Sequence, residues 1–139
     1  MKFIALDDVG WAWLYERAHP ILCDDSVGFA AVTEDGRIHA AIVMDSWAPN
    51  SCQMHFAIDN PMVIRHGFFE TVADFCYNVR GIETIVGLVP ADNEKAIKLD
   101  KRIGFKEALR IPNGYKDGID YVVMLMTRED CRWLKQEAA

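Results

Sequence analysis

Residues 82–105 read IETIVGLVPADNEKAIKLDKRIGF, and the order of parts in this stretch decides the fold. Ile82 to Val89 is an unbroken apolar run rich in β-branched residues, the pattern of a strand covered on both faces. Pro90 and Asp92-Asn93 end it and open a helix, because Asp and Asn side chains accept from the free N–H groups of a first turn. Ala96, Leu99 and Ile103 recur at helical spacing and mark one apolar face, which leaves the charges of Glu94-Lys95, Lys98 and Asp100-Lys101-Arg102 as a solvated face with i,i+4 pairing. Gly104 supplies a left-handed stop, and Phe105 starts the next strand.

Upstream, Lys2–Leu6 is a short strand, and Asp7 or Asp8 caps a helix that Pro20 ends near His19. Trp11 and Trp13, two apart, cannot share a helix face, so one of them at least belongs at an open edge. Residues 27–33 and 37–47 are strands joined by Glu34-Asp35-Gly36, a hairpin signal. Pro49-Asn50 turns the chain into a strand over 51–58, whose alternation puts Cys52, Met54, Phe56 and Ile58 on one face and Gln53, His55 and Ala57 on the other. After the Asp59-Asn60-Pro61 break, Phe68, Phe69, Val72, Phe75, Cys76 and Val79 define an amphipathic helix over 65–79. Downstream, the spacing predicts a strand over 105–110, a turn-rich loop over 111–118, a strand over 119–126, and a final short helix opening at Thr127 and holding Trp133. The order β-α-β-β-β-α-β-α-β-β-α is that of an α/β (α+β) fold with a mixed sheet, in one domain spanning 1–139.

Composition narrows the function. The chain has 139 residues, 51% apolar and 26% charged, with a net charge of −6, which suits a globular domain with a sizeable core. No run of Lys or Arg exceeds two residues, which argues against nucleic acid as a partner. An acidic surface is compatible with a cationic amine. The four cysteines form no CxxC pair and have no zinc-ligand spacing, so no metal is expected; scattered thiols point to a reducing, cytoplasmic setting. The apolar start at Phe3–Leu6 is too short for a signal peptide, and no stretch approaches a membrane span.

The order of elements, together with Asn93-x-x-Ala96-x-x-Leu99 and Gly104-Phe105, resembles the GCN5-related N-acetyltransferases (GNAT superfamily) over nearly the whole chain. The ending, Gly118-Ile119-Asp120-Tyr121 through Trp133-Leu134, is similar to small phage- and prophage-encoded members. The resemblance implies acetyl coenzyme A as cosubstrate and a small-molecule or peptide amine as acceptor, attacking the thioester directly. Phe56, Ala57 and Ile58 would then offer backbone groups to the pantetheine arm, with an amide near Ala57 or Ile58 polarising the thioester carbonyl. Arg65, His66, Gly67 and Phe68 would present amides to the pyrophosphate, and Asn93 would meet the arm from the other side. Neither membrane nor nucleic-acid partners are implied, and homodimerisation stays open.

Three positions depart from the family pattern. Ile64 stands where Gln or Arg is expected. Phe69 replaces Gly or Ala, which is expected to crowd the approach to the phosphates. Asp100 occupies the place of a general-acid tyrosine, and a carboxylate donates a proton only if its pKa is strongly raised. His55 reads either as the base that deprotonates the amine or as a strand histidine bonded to a neighbour. Asp59 reads as another proton acceptor or as a turn and cap. Trp11, Trp13, Tyr15 and Trp47 are core or an acceptor wall, and Cys23 and Cys131 are small buried side chains or reactive thiols. Two functions follow: an acetyl-CoA-dependent N-acetyltransferase, or a phage-derived accessory protein that keeps the fold without the reaction.

Overall fold

The computed structural model describes residues 1–134. Four strands come before the central crossover: β1 (Lys2–Ala5), β2 (Val27–Val32), β3 (Ile38–Asp45) and β4 (Ser51–Ile58), with α1 (Asp8–Ala18) between the first two. Two short helices, α2 (Met62–Arg65) and α3 (Phe68–Ala73), follow, the latter running into a π-helical turn at Asp74–Val79. Then come β5 (Thr84–Pro90), α4 (Glu94–Ile103), β6 (Lys106–Lys116) and β7 (Ile119–Thr127). They form one seven-stranded sheet in the order β1-β2-β3-β4-β5-β7-β6.

Neighbouring strands are antiparallel except β4 and β5, which are parallel and joined by the crossover through α2 and α3. That parallel ladder has only three rungs, Ser51↔Thr84, Cys52↔Ile85 and Gln53↔Val86. Past Gln53, β4 keeps its antiparallel partner β3 as far as Ile58↔Ala40, while β5 keeps β7 as far as Pro90↔Tyr121. The two strands therefore separate from Met54 and Gly87 onward, each carrying one edge of backbone groups without a strand partner.

The main core lies between the sheet and the crossover helices and holds Phe68, Phe69, Val72, Cys76, Tyr77, Ile85, Ile103 and Met124. The Tyr77 hydroxyl donates to the Met126 carbonyl across this core. Beneath α1 a second cluster joins Leu14 to Ala30, Ala41 and Val43, small residues that let the helix lie close to β2 and β3. Trp11 and Trp13 are both half-buried there, so neither is a full core residue.

Four expectations change. The helix over 65–79 is interrupted: Gly67 at φ +87 ends α2 and opens α3, a backbone conformation open mainly to glycine. The turn-rich stretch 111–118 is mostly strand. Its turn residues form a bulge instead, with Asn113 at φ +53, its Oδ1 accepting from Gly118 N at 2.8 Å and its N donating to Asp120 Oδ1 at 3.0 Å. The strand predicted to run to Trp47 ends at Asp45, with Ser46 at φ +52. Residues 128–130 form turns, and no helix follows among the described residues. No helix of the described residues is long and apolar enough to cross a membrane.

Candidate active site

Where β4 and β5 part, a cavity of about 140 Å³ opens. Met54, His55 and Phe56 form one wall, Gly87 to Pro90 the other, and Asn93, Ala96 and Asp100 of α4 the floor. Asn93 caps α4 through Oδ1, which accepts from Ala96 N at 3.1 Å, and so fixes which helix face meets the cavity. The buried face of α4 is not quite the one the apolar spacing suggested: Ile97, Asp100 and Ile103 are buried, and Ala96 and Leu99 only partly so.

Asp100 is 8% exposed. No hydrogen-bond donor reaches its carboxyl and no cation lies within ion-pair distance among the described residues. Burial without a countercharge pushes its pKa from 3.8 up to about 7, because the ionised form loses its hydration. The expectation that Asp100 lies on the solvated charged face of the helix is therefore corrected.

His55 lines this cavity and a larger one beside it, of about 430 Å³. The larger cavity is walled by the end of α1 and residues 19–23, by Asp45 and Gln53, and by Tyr115 and Tyr121. His55 Nε2 stands 3.3 Å from Asp45 Oδ2, and the Asp45 side chain is only 5% exposed. Ser46 Oγ donates to Asp45 Oδ1 at 3.0 Å. A carboxylate held this way orients the imidazole. Asp59 is engaged elsewhere. It takes a two-pronged contact from Arg17, Nε to Oδ1 at 3.1 Å and Nη2 to Oδ2 at 3.0 Å, while the guanidinium stacks 3.8 Å above the Trp13 ring. The thiols of Cys23 and Cys131 are both pushed up, first by desolvation, so neither gains reactivity.

At the other end of the cavity, Ile58, Pro61, Ile64 and Leu99 floor a hollow of about 260 Å³ rimmed by Lys95, Lys98 and Arg102. None of these three cations is paired with an acid among the described residues. Lys101 instead pairs with Glu107 at 3.7 Å. The i,i+4 pairs expected within α4 are thus absent among the described residues, and part of its charged face borders a groove. Arg65 and His66 are exposed beside α2, whereas the Phe68 side chain is fully buried against Phe3, their rings 5.3 Å apart. Phe69 is 2% exposed, packed on Phe56, Phe68 and Trp133 at 5.5–5.7 Å. Its ring points into the core.

The structure thus brings His55, Phe56 and Asn93 to one cavity and leaves Ile58 at the basic hollow. It adds Asp45, Tyr115, Tyr121 and the Lys95–Arg102 rim, none of which the sequence reading singled out for the site. Asp45, a charge closing an apolar strand, was the one visible signal among them.

No family model and no curated protein matches the sequence. Solved structures do match the fold. A chimera of spermidine N-acetyltransferase SpeG from Vibrio cholerae and hSSAT superposes with a TM-score of 0.72 at 10% identity, over 93% of this chain and 98% of that one. Spermidine/spermine N-acetyltransferase SpeG from Vibrio cholerae in complex with manganese ions gives 0.70 at 11% identity, over 91% of both chains. The F149A mutant of the same enzyme gives 0.69 at 15% identity, over 97% of this chain and 98% of that one. Likeness over almost the whole length of both chains gives this protein the acyl-CoA N-acyltransferase fold of the GCN5-related N-acetyltransferases.

Proposed function

We propose that the protein is an acetyl-CoA-dependent N-acetyltransferase for a small amine. One observation carries the reading: the unpaired strand edges past the third parallel rung run from a basic hollow to a histidine–carboxylate pair. The site suits a long thin molecule with a charged end. The open edge of Phe56, Ala57 and Ile58 offers amides and carbonyls to an amide-bearing arm. Lys95, Lys98 and Arg102, with Arg65, His66 and the backbone at Gly67 and Phe68, neutralise phosphates. Asn93 borders the same path. Acetyl coenzyme A supplies an electrophilic acetyl group on a good leaving sulfur.

The remaining work falls to the chain. A backbone N–H at Ala57 or Ile58 polarises the carbonyl. His55, oriented by Asp45, takes a proton from the amine directly or through water. The larger cavity, with Asp45 in its wall, receives a cationic acceptor, and most of the rate comes from holding two reactants side by side. The structural neighbours act on spermidine and spermine, and a polyamine is the first acceptor to try. The accessory-protein reading drew on Ile64, Phe69, Asp100 and the phage-like ending. The burial of the Phe69 ring and the raised pKa of Asp100 weaken two of these four supports.

Acetyl coenzyme A should raise Tm progressively with concentration. A panel of amines that includes spermidine should reveal at least one acceptor by release of free thiol. No Tm response at millimolar acetyl coenzyme A, and no thiol release with any amine, would refute the reading.

A further inference from the structure

Among the described residues that line the larger cavity beside His55, Asp45 is the one carboxylate. Both of its oxygens are in use, Oδ2 against His55 Nε2 at 3.3 Å and Oδ1 accepting from Ser46 Oγ at 3.0 Å. The basic groups of the wall are Arg17, His19 and His55. Arg17 is matched by Asp59, which does not line the cavity. Asp25, two residues past Cys23, accepts from Trp47 N at 2.9 Å and does not line it either. Away from Asp45 the wall is made by Ile21, Leu88, Pro90, Tyr115 and Tyr121, the two tyrosine rings standing edge to face at 5.6 Å. The apolar surface continues beyond the cavity. The rungs Asp45↔Gln53, Gln53↔Val86, Val86↔Leu125 and Leu88↔Val123 put these side chains on one sheet face. There Val86, Leu88, Val123 and Leu125 are half-buried and join neither core cluster.

Resting on the N-acetyltransferase reading above, we infer that the acceptor is a primary monoamine on an apolar body, and that this wall selects against a polyamine. The single acid sits at the reacting end, beside His55, where it meets the first ammonium. A second or third ammonium, spaced along a chain such as that of spermidine, would reach Ile21, Leu88, Pro90 and the tyrosines. It would give up hydration there without gaining a counter-charge. A tyrosine face attracts an ammonium, but less than a carboxylate does, and Arg17 and His19 add no attraction for a cation. A methylene chain or a ring in the same place instead removes apolar surface from water on both partners, and a ring can pack edge to face on Tyr115 and Tyr121. Polar groups converging at one end of a chiefly apolar hollow suit a small molecule with one polar function. The structural neighbours share the fold with this chain, but acceptor choice lies in the wall of the site rather than in the fold.

Matched acceptors isolate the second charge. Pentylamine and 1,4-diaminobutane have the same length and differ only in a terminal methyl against a terminal ammonium. With acetyl coenzyme A, thiol release should give pentylamine the higher kcat/KM by about tenfold or more, and 2-phenylethylamine should exceed spermidine by at least as much. Tyr115 is 50% exposed at the end of β6, so Tyr115→Glu sets a second acid on the wall without disturbing the core. That variant should shift the pentylamine-to-diamine ratio toward the diamine by about tenfold. A diamine or spermidine used as well as its monoamine counterpart, or a ratio that Tyr115→Glu leaves unmoved, would overturn the inference and leave the transferase reading in place. A wild-type protein that releases no thiol with any amine would end both.

Discussion

Asp45 and Asp100 are the two buried carboxyls of the described chain, and their surroundings separate them. Asp45 has His55 and Ser46 as partners, whereas Asp100 has none and its pKa rises to about 7. In the unfolded chain Asp100 ionises near 3.8. Between these values the folded state binds the extra proton, so stability falls as pH rises through the window and stays low above it. The full penalty is roughly 4 kcal/mol once the group is ionised. Asp100→Asn should therefore match wild type in Tm at about pH 4, exceed it increasingly as pH rises to about 7, and keep that lead above it; parallel curves across the range would contradict this. On the other side of the cavity, His55→Ala should lower kcat about 10²-fold, and Asp45→Asn should lower it less, since the base stays but loses its orientation. A steady-state comparison with acetyl coenzyme A and one accepted amine measures both.

Among the elements, Gly67 hinges the crossover between α2 and α3 in a conformation that an L side chain enters at a cost of about 1 kcal/mol. Gly67→Ala should lower Tm by roughly 3–4 °C, and an unchanged Tm would mean that the two helices meet differently. Much of this architecture was legible beforehand. Asn93, Gly104 and the apolar run before them fixed β5, α4 and the strand that follows, because caps and stops act locally. The hairpin at Asp35-Gly36 and the alternation of β4 were equally local. What escaped notice depended on tertiary context. The residues around Asn113 were read as a loop because Asn, Gly and Pro favour turns, yet a bulge in a long strand uses the same left-handed conformation. Asp100 was counted with its charged sequence neighbours, although Ala96, Ile97 and Ile103 flank it at helical spacing and place it on the inner face. Asp45 meets His55 only through the register of β3 and β4, which residue types alone do not specify.

Across the whole molecule, the charge balance and the site pull in opposite directions. The chain carries −6 overall, yet among the described residues Lys95, Lys98 and Arg102 gather unpaired at one groove. The resulting field favours an anion at that end and a cation at the far end, where Asp45 lines the larger cavity. Replacing Lys98 and Arg102 together by Glu should weaken acetyl coenzyme A by an order of magnitude or more, and affinity in the wild type should fall as salt rises. Calorimetry at two ionic strengths would show both effects, and a salt-independent, variant-insensitive affinity would place the phosphates elsewhere. The three-rung parallel ladder has a mechanical consequence as well. Among the described residues it is the only strand-to-strand seam between the half-sheet of β1 to β4 and that of β5 to β7. A molecule lodged in the gap and bonded to both margins would act as mortar in that seam. Its arrival should slow amide exchange along 54–58 and 87–90 together, adding bonds across a seam whose strands share only three rungs.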